Sequence, residues 1–146
     1  MKVLVAYDGT LRSREALAYG IEKAAEAGGE VVALHVFDPC LFVGYEAGPG
    51  ALGRARGEAM ARAREAGAML RGSGLRHRVI AAEGAPVETT LACAEAGGFD
   101  LLVCPPRLRS AARQFEKSLR RRGLDASAKE VLENGKKLAL ASVGAV

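Results

Sequence analysis

The chain has 146 residues, 49% hydrophobic and 26% charged, with a formal net charge of +4. That length is expected to hold a single domain over 1–146, burying roughly two-thirds of the surface its unfolded form exposes, and the composition excludes a disordered or collagen-like chain. The longest uncharged stretch falls short of the roughly 20 apolar residues a transmembrane helix needs, and the amino terminus opens into a strand-like run without a charged-then-apolar leader, so a cytoplasmic protein with no membrane partner is expected.

Lys2 to Tyr7 is an apolar run ended by Asp8-Gly9-Thr10, which predicts a buried strand and a turn. From Arg12 to Ala27, Ala16, Leu17, Ile21, Ala24 and Ala25 recur at helical spacing, and Gly28-Gly29 supplies the stop. Glu30 to Phe37 is a second β-rich run closed by Asp38-Pro39. Residues 40 to 53 show no period and read as a loop; helical spacing returns from Ala51 to Leu70. Leu75 to Ala82 predicts a third strand, Gly84-Ala85-Pro86 a turn into a helix through Gly97, and Asp100 to Cys104 a fourth strand stopped by Pro105-Pro106. Ser110 to Arg122 reads as an amphipathic helix. Ser127 and Glu130 have capping-box spacing, predicting a short helix through Glu133, and Lys137 to Val143 is a final strand. Strands alternating with helices imply a mainly parallel sheet.

Taken in order, Val3-Leu4-Val5-Ala6-Tyr7-Asp8-Gly9-Thr10 with Ser13, Val32-Ala33-Leu34-His35-Val36, Gly84-Ala85-Pro86 with Glu88, and Ala94 to Val103 resemble the universal stress protein family. The resemblance covers residues 1 to 104. It implies an open five-stranded parallel sheet of order 3-2-1-4-5 with helices on both faces, Rossmann-like and similar to the adenine nucleotide alpha hydrolases. It also implies stress-response homodimers formed through the last strand, here 137–143; an unpaired strand edge supports such pairing, while Lys136 and Lys137 would oppose it.

Family members that hold ATP carry a glycine-rich G-x2-G-x9-G-[ST] pattern after the fourth strand, where backbone N–H groups approach the phosphates. Here Pro105 and Pro106, which have no N–H, stand at the first glycine, and Asp125-Ala126 fall at the last pair. The resemblance therefore implies a degenerate nucleotide-binding protein that does not take ATP in the family manner. On the adenosine side, Ala6, Tyr7, Asp8 and Val36 match family positions; Asp8 reads equally as a turn former capping the first helix. Arg107, Arg109 and Arg113 lie nearest the expected phosphate position, and guanidinium groups bind phosphate without glycine backbone, so a sensor for ATP or AMP, or a weak ATPase, is the alternative. The competing reading of these arginines is a solvated or dimer-contacting helix face.

Little else in the sequence carries chemistry. Cys40, Cys93 and Cys104 form no C-x-x-C pair, which argues against a zinc site or disulfide framework, and Cys93 and Cys104 lie on apolar faces. His35 sits mid-strand among apolar neighbours; His77 alternates with Arg76 and Arg78 at an expected edge. No serine has a G-x-S-x-G context, no His/Cys/Asp set has metal-ligand spacing, and no catalytic residue is assigned. The segment from Arg107 to Arg122 is cationic, but it holds one aromatic, Phe115, and no recognition motif, which disfavours nucleic acid.

Overall fold

In the computed structural model, which describes residues 1–41, 48–133 and 136–144, six strands form one sheet of order β3-β2-β1-β4-β6-β5. The strands are β1 (Lys2–Ala6), β2 (Glu30–Phe37), β3 (Arg76–Glu83), β4 (Leu101–Cys104), β5 (Ala126–Glu133) and β6 (Lys136–Val143). The helices are α1 (Leu11–Ala27), α2 (Ala51–Ser73), α3 (Pro86–Ala96) and α4 (Arg109–Arg121). The first four strands are parallel.

Because side chains alternate across a strand, β1 supplies both cores. Val3 and Val5, with Tyr7 beyond them, pack on Leu17 of α1 and Leu70 of α2, while Leu4 and Ala6 face Ala94 of α3 and Phe115 of α4. Each fully buried Val or Leu contributes about 1.5–3 kcal/mol relative to exposure. The first helix is set by its ends. Thr10 Oγ1 accepts from the Ser13 N–H at 3.2 Å, and Gly28 adopts φ 63, a left-handed stop that an L side chain resists. At mid-helix Gly20 lets α1 approach the sheet closely, since a Cβ there would lie 2.5 Å from Val5 Cγ2.

The carboxyl-terminal third corrects the sequence-based expectations. The sheet is mixed and six-stranded, not five-stranded and parallel, because β6 runs antiparallel to both β4 and β5. Residues 126–133 are strand β5, not a capped helix. Ala, Lys, Glu and Leu in this segment favour a helix on propensity, but pairing along β6 from Ala126↔Val143 to Glu133↔Lys136 overrides it. Two residues, Asn134 and Gly135, separate the paired ends. A parallel crossover needs a dozen or more, so β6 must turn back antiparallel.

The position of β6 follows from its composition. Leu138 and Leu140 face the α1/α2 core, Ala139 and Ala141 the α3/α4 core, and all four are buried. A strand apolar on both faces belongs inside a sheet. In contrast β5 exposes Lys129 and Glu130, which suits an edge. Strand 137–143 is therefore not the free edge expected for pairing with a second copy: β4 and β5 occupy its two sides.

Candidate functional site

Open α/β sheets place ligands beyond the carboxyl ends of their strands, where strand order reverses. Here β1 lies between β2 and β4, and its extension carries Tyr7 and Asp8 to that point. The Tyr7 N–H donates to the Leu34 carbonyl at 2.8 Å, prolonging the ladder. Its ring leaves the crevice for the opposite face, where the buried hydroxyl donates to Glu65 Oε2 at 3.0 Å. His35 is packed and capped, its Nδ1 lying 2.8 Å from the Tyr7 carbonyl; since a carbonyl only accepts, Nδ1 carries the proton.

Asp8 is held from two sides. Its Oδ1 accepts from the Thr10 N–H at 2.9 Å and from the Thr10 hydroxyl, and its own N–H donates to Ser13 Oγ at 3.1 Å. Asp8 is thus a turn former, but the cap of α1 expected of it falls to Thr10; it also faces the crevice. Its Oδ2 lies 2.7 Å from Arg107 Nη2, an ion pair between a carboxylate 10% exposed and a guanidinium 60% exposed. The contact is charge-paired without hydrogen-bond alignment, so Oδ2 has no directional donor. Burial pushes the carboxyl up; the Thr10 and Ser13 hydrogen bonds and the Arg107 charge outweigh it, leaving Asp8 below its ordinary value.

Arg107 reaches Asp8 because the chain reverses after β4. Pro105 is extended at φ −64 and ψ 159, and the Leu108 N–H donates to the Pro105 carbonyl at 2.9 Å, tightening a turn over Pro106–Leu108. Leu108 is buried in the α3/α4 core. Between Ala6, Leu34, Val36, Thr90, Leu108 and Arg107 only about 10 Å3 remains, the lower limit for one water. The space beside Ala6, Leu34 and Thr90 is therefore narrow.

Beside it lies an open groove of about 340 Å3, within the size range of small-ligand sites. His35, Phe37, Asp38 and Arg62 line the groove, while Asp8, Val36, Pro86 and Arg107 line both spaces. The Asp8–Arg107 pair thus borders both the narrow space and the open groove.

The three arginines named from sequence are not brought together. Arg109 and Arg113 line a separate groove of about 220 Å3 between α4 and the β5–β6 hairpin, beside Ala128 and Ala139. Arg109 is also tied back to the Pro106 carbonyl at 3.3 Å.

Sequence reading passed over Thr90. Its side chain is fully buried against the narrow cavity, and its hydroxyl has no hydrogen-bond partner. The signal was a hydroxyl in the i, i+4 stripe Pro86, Thr90, Ala94 of a core-facing helix. An unpartnered buried hydroxyl lowers stability. Thr90→Val, which keeps the shape, is therefore expected to raise stability by about 1 kcal/mol in thermal unfolding; a loss instead would show that the hydroxyl has a partner.

Among the described residues no group of three or more His, Cys, Asp or Glu could hold a metal, and no helix is long and apolar enough to cross a membrane. Burial pushes the Cys104 thiol up to about 12, which removes thiolate chemistry there, and it raises the half-buried Cys93 as well. Cys40 is exposed.

A family model for the universal stress protein family matches residues 1–119. The chain belongs to this family. A universal stress protein family structure from Burkholderia pseudomallei is 26% identical, with TM-score 0.64, covering 82% of this chain and 89% of that one. Two others share the fold at lower identity. The universal stress protein from Archaeoglobus fulgidus in complex with dAMP is 21% identical at TM-score 0.61, covering 79% and 88%. That from Arabidopsis thaliana with AMP bound is 16% identical at 0.54, covering 71% and 75%. No curated protein sequence matches the chain. The family match ends within α4, before the hairpin that departs from the universal stress protein sheet expected from sequence.

Proposed function

We propose that this chain is a regulatory binding protein of the stress response, cytoplasmic, whose nucleotide crevice is narrow beside Arg107 and does not hold ATP in the family manner. The observation that carries the reading is the Asp8–Arg107 contact beside a cavity of about 10 Å3. Supporting it, Pro105 and Pro106 offer no N–H where a phosphate cradle is expected, and Asp125 begins the β5 approach as an exposed carboxylate. Calorimetry with ATP, ADP and AMP tests this. Without a glycine-rich cradle for the second and third phosphates, ATP is expected to bind no more tightly than AMP. A tenfold or greater preference for ATP would contradict the reading.

A second reading, an adenine-nucleotide sensor, is favoured by Arg107 itself: an accessible guanidinium beside the crevice suits a phosphate. It is in keeping with the relatives, whose ligands are dAMP and AMP. Binding of AMP in the same titration decides for it. For assembly, the free edge at this end of the sheet is that of β5. A homodimer made by strand addition would meet there and not along 137–143.

A further inference from the structure

We propose that Arg107 is the ligand-selecting residue of this crevice, an internal counter-ion that a ligand displaces only by offering a phosphate in exchange. The inference rests on the nucleotide reading above and concerns how the site tells a phosphorylated nucleoside from an unphosphorylated one. Asp8 Oδ1 is satisfied by Thr10, whereas Oδ2 has Arg107 as its charge partner and no aligned hydrogen bond. Arg107 is more than half exposed, so its side chain can swing outward, while the turn anchored by Leu108 holds its backbone.

A neutral nucleoside that opens the crevice must separate this pair and leave a nearly buried carboxylate without its counter-charge, which is costly. A nucleoside monophosphate performs an exchange: its phosphate takes the guanidinium, and a hydroxyl or amino group takes Asp8 Oδ2. Thr90 is the independent observation. Its fully buried hydroxyl, without a partner, lines the same cavity and is placed to meet a polar atom of the ligand. Arg109 and Arg113 line the other groove and take no part.

The test is calorimetry of adenosine and AMP on the unsubstituted protein, Arg107→Ala and Arg109→Ala. The unsubstituted protein is expected to prefer AMP. In Arg107→Ala adenosine should gain about fivefold, the range of a partly exposed ion pair, while AMP weakens and its preference disappears. Arg109→Ala should match the unsubstituted protein. Adenosine binding left unchanged or weakened by Arg107→Ala overturns the exchange while the nucleotide reading stands. No binding of either ligand to any of the three proteins overturns the nucleotide reading and the exchange with it.

Discussion

Phe115→Ala is expected to lower stability by about 3–5 kcal/mol, measured by urea unfolding, the range for truncating a fully buried phenylalanine. Phe115 is 0% exposed. It sits in one core with Leu108, Ala111 and Leu119 and with Leu102, Ala139 and Ala141 of the sheet. Through these contacts it seats α4, whose first turn follows the segment that carries Arg107. On the same helix Arg113→Ala is expected to change stability by no more than about 0.5 kcal/mol, because its side chain is exposed. A comparable loss from both would mean that α4 is held by its cationic face and not by its apolar stripe.

Leu140→Ala is expected to cost about 2–5 kcal/mol. Leu140 pairs with Val103 across the β4–β6 ladder and packs with Val3, Val5 and Leu17 at 1% exposure. The substitution therefore discriminates between two arrangements of the carboxyl end. If 137–143 were an exposed edge strand, the loss would be below about 1 kcal/mol in the isolated chain. A loss in the expected range places β6 within the sheet, and with it the unpaired edge on β5.

These two residues mark the boundary of what could be read from sequence. The first four strands and the helices between them were legible because each element announces itself twice, by its apolar period and by its stop. Tyr7-Asp8-Gly9, Gly28-Gly29, Asp38-Pro39 and Pro105-Pro106 all fall at element ends. The last strand was also legible, but its neighbours were not. Ser127 and Glu130 mimic a helix start, yet Ser127 Oγ lies 3.2 Å from Ser142 Oγ across the hairpin. Asn134-Gly135 was the signal that should have outweighed the capping box, since that dipeptide between β-capable runs favours a hairpin. Sheet position needed one further step: Leu138 to Ala141 are apolar on both faces, whereas 126–133 carries charge.

The candidate site was legible by position but not by orientation. Ala6, Tyr7, Asp8 and Val36 do converge at the end of β1. Nothing in a sequence shows that Tyr7 turns its ring away, or that Arg107 folds onto Asp8 while Arg109 and Arg113, two and six residues on, face another groove. Those directions are set by the turn at Pro106–Leu108, a backbone property that residue type alone does not fix. Thr90 illustrates the converse. Its helix and face were predictable, but the absence of a partner for its hydroxyl is a fact of packing.

Titration of the Asp8 carboxyl by carbon NMR reads directly whether Arg107 pairs with Asp8. Because the folded carboxyl lies below its unfolded value near 3.9, Asp8 contributes stability above about pH 4 that is lost as pH falls through the folded value. The predicted result is an Asp8 titration below the ordinary range in the unsubstituted protein that moves upward in Arg107→Ala, where burial persists without the counter-charge. An Asp8 value that is the same in both proteins would contradict the Asp8–Arg107 pairing.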